Sequence, residues 1–257
     1  MDSALRSLLE AMLDRAGAVA LTHLHAAKAQ LKADGTIVTE VDRVIEALLV
    51  EELTRAFPDD GIQAEEGSRI DPRSGGATWF IDPIDGTSAF VGGLAYWGPT
   101  VCRVCDGVLE VGAFHVPRLG ERWYAARGAG AWRDRVRLGA GPTEISRRSI
   151  LFAPSRFHRV GVAPWPGKVR ALGSSAAHLA LVAAGGGLVA VIPRWHLWDV
   201  GCGALLIRET GGVIWDPSGV GLDPERCTPG LPFLAGSPNA LGMLTDGGWA
   251  SEVLTQG

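Results

Sequence analysis

The hydrophobic positions of the first half fall into two helical stripes followed by short β-type runs. Leu5, Leu8, Leu9, Met12, Leu13, Ala16, Val19 and Ala20 recur at the spacing of one face of an amphipathic helix. After a break at Lys32-Ala33-Asp34-Gly35, a second stripe follows at Val41, Val44, Ile45, Leu48, Leu49 and Leu53. Thr39 is placed to cap that helix, Asp42 lies in its first turn where a negative charge suits the helix dipole, and Phe57-Pro58 ends it. Thr78-Trp79-Phe80-Ile81 is short, aromatic and β-branched, and stops at Asp82-Pro83. Val101 to Val104 and Val108 to Phe114 flank Asp106-Gly107, a pair suited to a type I′ hairpin turn. Arg122 to Ala126 and Val136 to Leu138 predict further strands around Gly128-Ala129-Gly130. A helix pair leading into an antiparallel meander is expected.

Beyond the linker-like Gly139-Ala140-Gly141-Pro142 the pattern changes. A strand at Ile150 to Ala153, a helix near 174–184, a strand at Leu188 to Ile192 and a helix at 200–209 alternate as α/β units do. Asp199 is expected to be the N-cap of the last of these, Gly211-Gly212 its stop, and Val213 to Trp215 one more strand. The chain therefore divides into an N-terminal α+β half, 1–140, and a C-terminal α/β half, 146–257. From Ala171 to Pro193 there is no charged residue, a length that could span a bilayer. Gly173-Ser174-Ser175, His178, the Gly185-Gly186-Gly187 triplet and Pro193 break the run into a helix, a turn and a buried strand, so no membrane span is expected.

Composition narrows the classes further. With 47% hydrophobic and 20% charged residues the chain can build a substantial core and is not of the disordered kind. A net charge of −4 argues against a nucleic-acid polymer as partner, although a local acidic pocket would attract divalent cations. Met1-Asp2-Ser3 opens straight into the amphipathic pattern, without the regions of a secretory leader, and four cysteines then fit a reducing cytoplasm. Cys102 and Cys105 have the spacing of a redox or zinc pair but lie in a β-branched run, where residues three apart point to opposite faces.

The densest chemical signal is Trp79-Phe80-Ile81-Asp82-Pro83-Ile84-Asp85-Gly86-Thr87. A strand delivers two carboxylates, separated by a proline-stiffened turn, to its C-terminal end, where ligands gather in α/β proteins. Acids this close repel one another unless protonated or neutralised, and a hard divalent cation is the natural neutraliser. The turn also frees the Ile84 carbonyl as a further oxygen donor, and Thr87 opens a segment where helix amides would suit a phosphate. The same residues also suit an ordinary polar turn. Glu65-Glu66 upstream is equally compatible with a solvated surface, and Asp199 with a simple cap.

Taken together, Glu65-Glu66, the Trp79 to Thr87 segment and Trp198-Asp199-Val200 with Gly211-Gly212 behind it resemble the inositol monophosphatase family in order and approximate spacing. Lys32 and Thr39-Glu40-Val41-Asp42 resemble its N-terminal lysine and Thr-x-x-Asp segment. The resemblance runs from about Lys32 to Val213. It implies an α/β fold, an α+β sandwich of alternating αβαβα layers, and a phosphoric monoester hydrolase using two or three Mg2+ ions. Glu66, Asp82, Asp85, the Ile84 carbonyl and Asp199 would be the ligands, and Glu66 would also position the nucleophilic water. Thr87, held by Asp42, would orient or deprotonate that water, while amides around Gly86 and Thr87 hold the phosphate. Lys32 would close over the metals from its loop. Gly173, Ser174 and Ser175 resemble the loop that meets the leaving alcohol, with helix capping the other reading of Ser174, and Ser155 is a weaker candidate for the rim. A cytoplasmic homodimer and lithium sensitivity would follow, and several of the nine tryptophans are expected in the core or at a subunit contact.

One departure bears on the substrate. Inositol-specific members carry a glutamate seven residues before the Trp-Asp aspartate, where this chain has Ile192. An apolar side chain cannot accept hydrogen bonds from hydroxyl or ammonium groups. Arg194, Trp195 and His196 follow at once, and Arg194 is open to binding a second phosphate or a carboxylate, or to simple solvation. Inositol monophosphate is the default substrate; histidinol phosphate, fructose bisphosphate and a phosphoadenosine nucleotide stay open. A catalytically silent regulator that binds metal or phosphometabolites is the alternative from another class, disfavoured by the complete carboxylate set.

Overall fold

The computed structural model describes residues 3–24, 26, 29–31, 37–159 and 163–254. In the first half the elements are α1 (Ser3–His23), β1 (Gln30–Leu31), β2 (Ile37–Val38), α2 (Glu40–Ala56), β3 (Gly61–Ala64), β4 (Arg69–Ile70), β5 (Thr78–Asp85) and α3 (Thr87–Val91). The meander follows as β6 (Gly98–Cys105), β7 (Val108–Val116), β8 (Glu121–Ala126), β9 (Gly130–Arg133) and β10 (Val136–Arg137). The second half comprises β11 (Ile150–Phe152), β12 (Lys168–Arg170), α4 (Ser175–Ala183), β13 (Val189–Ile192), α5 (Leu197–Glu209), β14 (Val213–Trp215), β15 (Phe233–Gly236), α6 (Pro238–Thr245) and α7 (Trp249–Leu254).

Two large sheets result, one of eight strands in the order β10-β9-β8-β7-β6-β5-β3-β4 and one of five in the order β12-β11-β13-β15-β14. The helices α1 and α2 cover the outer face of the first, where Leu9, Met12, Leu13, Ile45, Leu49 and Leu53 pack on Trp79, Ile81, Val101 and Tyr124. Between the sheets lie α4 and α5, whose Leu179, Ala180, Val200, Leu205 and Leu206 share a core with Cys102, Leu109 and Phe114 on one side and Ala190 and Phe233 on the other. On the far face of the second sheet, α6 and α7 bury Leu241, Leu244 and Ala250 against Leu151, Val189 and Leu234. The layers run αβαβα, as the family resemblance implied. The first sheet draws on residues 61–137 and the second on 150–236, and the middle layer joins both in one core.

Glycines make that middle layer thin. A Cβ at Gly203 would lie 2.4 Å from Leu179 Cβ, and one at Gly201 would lie 2.3 Å from Cys102 Sγ, so α5 touches α4 and the first sheet nearly backbone to side chain. Both Cys102 and Cys202 are sealed there, and all four cysteines are free thiols. The hairpin turn takes the expected form, with positive φ at Asp106 (50°) and Gly107 (70°). The uncharged 171–193 stretch resolves into α4, the glycine turn and β13, and no helix among the described residues is long and apolar enough to cross a membrane. Trp79, Trp97, Trp123, Trp195 and Trp249 are buried within the chain itself.

Three boundaries differ from expectation. The strand read as 78–81 continues to Asp85, with a register irregularity between Asp82 and Asp85 where proline interrupts the ladder. Helix α5 begins at Leu197, so Asp199 is its third residue and not its N-cap; it acts from inside the first turn, its carboxylate accepting from the His196 N–H at 2.6 Å. In the second sheet β11, β12 and β13 are parallel, but β15 runs antiparallel to β13 and β14.

Candidate metal centre and active site

Strand parity decides which carboxylates meet. On β5, Trp79 and Ile81 face the outer helices, so Asp82 emerges on the opposite face, towards α5. The parallel neighbour β3 places Ala64 opposite Ile81, and Glu65 continues the ladder by donating its N–H to the Ile81 carbonyl at 3.1 Å. Glu65 therefore arrives beside Asp82. The first turn of α5 brings Asp199 from the other half of the chain. Carboxylate oxygens of Asp82, Asp85 and Asp199 all lie within 4.8 Å of one another.

These groups form the floor of a cavity of about 890 Å³, whose walls include Ile84, Gly86, Thr87, Ser88, Gly173, Ser175, Arg194 and Asp199. Glu65 lines it and Glu66 does not. Glu66, the residue expected to face the metals, is thus off the cavity wall, and its backbone N–H donates to the buried Glu46 carboxylate of α2 at 2.7 Å. Glu46 also accepts from the Ser68 N–H at 2.9 Å, so one buried side chain clamps the turn that presents Glu65. Sequence reading passed over Glu46, whose only signal is a charge at a position of α2 that packs inward. Lys32 lies outside the described residues.

The electrostatics of the floor are unfavourable without a cation. Burial, then repulsion from Glu65, Asp85 and Asp199, holds Asp82 well above the ordinary carboxylate range. Burial and the charge of Asp85 do the same to Asp199. Asp85 is pushed up to about 6 by burial, opposed by hydrogen bonds from the Ser174 hydroxyl and the N–H groups of Ala176 and Ser175. A cluster of hard oxygen donors that cannot comfortably carry its own charge fits divalent cations of the magnesium kind. The Ile84 carbonyl fits too, being on the cavity wall, 3.1 Å from the Thr87 hydroxyl oxygen.

Around the floor, the remaining expected residues take recognisable positions. Asp42 is fully buried behind Thr87 and accepts from the Thr87 hydroxyl at 3.3 Å, while the Thr39 N–H (2.8 Å) and hydroxyl (2.5 Å) fix its other oxygen. Gly86, at φ 90°, makes the sharp entry into α3, and a Cβ there would sit 3.0 Å from the Gly173 carbonyl and 3.1 Å from Ser174 Cβ. Ser174 takes its capping reading, its hydroxyl accepting the Ala177 N–H at 3.0 Å, and the same hydroxyl donates to Asp85. Ser155 sits with Ile192, His178 and Arg194 in an adjoining recess of about 150 Å³ that shares Gly173, Ser175 and Arg194 with the main cavity.

The sequence model of the inositol monophosphatase family matches residues 2–233. The chain belongs to the inositol monophosphatase family. A fructose-1,6-bisphosphatase/inositol-1-monophosphatase of Thermotoga maritima is 34% identical over 190 residues, covering 71% of this chain and 72% of that relative. A histidinol-phosphatase of Mycobacterium tuberculosis is 32% identical over 241 residues, covering 88% and 86%. The solved structure of a Thermotoga maritima IMPase superposes with a TM-score of 0.85 at 28% identity, covering 100% of this chain and 99% of that one. This chain is a hydrolase of phosphate monoesters, in a family that is metal-dependent.

Proposed function

We propose that the chain hydrolyses the phosphate monoester of a small metabolite, with Glu65, Asp82, Asp85, Asp199 and the Ile84 carbonyl holding two or three magnesium ions. The observation that carries this reading is the convergence of three carboxylates from the two halves of the chain within 4.8 Å. Magnesium bound there would supply a water of lowered pKa and offset the charge of the phosphoryl oxygens. The chain's own groups provide the rest of the reaction geometry. The Thr87 hydroxyl, donating its proton to Asp42, leaves a lone pair to accept a hydrogen from the attacking water. Asp42, raised by burial, is a suitable place for that proton to come to rest. Gly86 and Thr87 line the cavity, where their backbone amides would orient the phosphate. Gly173, Ser174 and Ser175 meet the alcohol side, and the hydroxyl of Ser174 also keeps Asp85 in place.

We place this enzyme in the cytoplasm, as a homodimer; free cysteines throughout the chain support the compartment. Phosphate release from inositol, histidinol, sugar and nucleotide phosphates, with and without magnesium, tests the reading. Turnover that requires the metal is expected for at least one ester. Tight magnesium binding with no turnover on any would favour the silent regulator instead.

A further inference from the structure

Two positive charges stand on the wall above the acidic floor. Arg156 follows β11 and Arg194 follows β13; these strands are parallel neighbours, with Leu151 opposite Val189 and Phe152 opposite Ala190. The loops at their C-terminal ends are therefore side by side, on the edge where a parallel sheet presents its ligands. Both guanidinium groups are exposed, and among the described residues neither has an ion pair or hydrogen bond, whereas Arg103, Arg122 and Arg208 of the same chain are each held by carboxylates. The other charged residues lining the cavity among those described are Glu65, Asp82, Asp85 and Asp199, all committed to the floor. Ile192 closes the recess next to Arg194 with hydrocarbon.

We infer that the alcohol portion of the substrate carries a second anionic group, a carboxylate or another phosphate, which Arg156 and Arg194 bind. This inference rests on the phosphatase reading of the floor. The phosphate to be cleaved is drawn to the floor by its cations, so unpaired guanidinium groups a loop away have no role in charge balance there. A planar guanidinium offers paired donors matched to carboxylate or phosphate oxygens. An alcohol bearing an ammonium group meets two like charges and, at Ile192, no acceptor. A neutral polyol meets hydrocarbon at Ile192 and gains nothing from the arginines. The wall therefore ranks leaving groups by charge: anionic above neutral, neutral above cationic.

The test compares kcat/KM of the magnesium-loaded enzyme on four probes: 3-phosphoglycerate, fructose 1,6-bisphosphate, glycerol 2-phosphate and phosphoethanolamine. At least one anion-bearing ester should exceed glycerol 2-phosphate by roughly 10-fold or more, the range of a charge-assisted hydrogen bond. The first two probes separate a carboxylate from a second phosphate. In the R156Q/R194Q double variant that ratio should collapse towards one, chiefly through KM, and R156K/R194K should restore part of it. Equal rates on neutral and anionic esters, or a ratio unchanged in the double variant, would overturn the inference while leaving the phosphatase intact. Absence of metal-dependent turnover on every ester, p-nitrophenyl phosphate included, would instead remove the phosphatase reading and the inference with it.

Discussion

Asp82 and Asp199 are each held well above the ordinary carboxylate range by burial and by neighbouring carboxylates. Asp82→Asn or Asp199→Asn keeps the shape and deletes a charged donor. Turnover should fall by about 100-fold or more, as for loss of a metal ligand or its supporting shell. The metal-free variants should melt no lower than the metal-free parent, because a mutual repulsion has gone. Steady-state rates and melting curves check the two halves of that expectation together. His178 offers a different residue-scale test. Its ring stacks on Phe152, a ring nitrogen accepts the Leu172 N–H at 2.9 Å, and burial lowers its pKa from 6.5 to about 4. The unfolded chain thus binds a proton that the folded chain refuses. Stability is fully present above pH 6.5 and falls as the pH drops towards 4, by about 3 kcal/mol in all. Because the raised carboxylates of the floor titrate in both proteins, the difference in urea midpoint between the parent and His178→Gln, followed across that range, should show the slope.

At the scale of elements, the turn between β3 and β4 is worth more than its length indicates. Glu46 of α2 holds it at two N–H groups, and Glu65 reaches the floor only while that turn keeps its form. Glu46→Ala should raise the magnesium concentration for half-maximal activity by about 10-fold, with a smaller change in rate at saturating metal. A magnesium titration of activity measures it. The same turn explains why the cavity is lined by Glu65 where the sequence reading placed Glu66. Glu65 and Glu66 are chemically identical neighbours, and family order alone does not separate them. Period-two bookkeeping does: Ile62 and Ala64 face the outer helices, which leaves Glu65 with Gln63 on the side of α5. The Asp82 to Thr87 segment was legible because an aromatic, β-branched run ending in acids and proline has few alternative structures. Asp199 was legible as a member of the carboxylate cluster but not as the third residue of its helix, since His196 is not one of the usual capping residue types. Arg156 gave no signal at all; its relevance comes from the pairing of β11 with β13, a contact between distant segments.

For the whole molecule, the acidic floor joins residues far apart in the chain. Glu65, Asp82 and Asp85 come from the first half and Asp199 from the second, so a cation held as proposed would tie one to the other. Magnesium at 100 times its dissociation constant should stabilise the fold by about 2.7 kcal/mol, raising the melting temperature by roughly 5–10 °C for a chain of this size. Asp199→Asn should lose most of that increment. The layer order came only with the family resemblance, whereas the helix-pair-plus-meander plan could be read from local periodicity. The mixed strand directions of the second sheet could not, because short buried strands look alike whichever way they run.

The thinness of the central layer has a practical outcome. Cys102 and Cys202 sit in opposing walls of a space with no room for a reagent the size of a maleimide or a disulfide dye. In the native protein these two sulfurs should stay inert for as long as the sandwich holds together, while Cys105 and Cys227, nearer the surface, react early. The slow pair then serves as a built-in clock: the rate at which they become labelled reports how often α5 leaves its place.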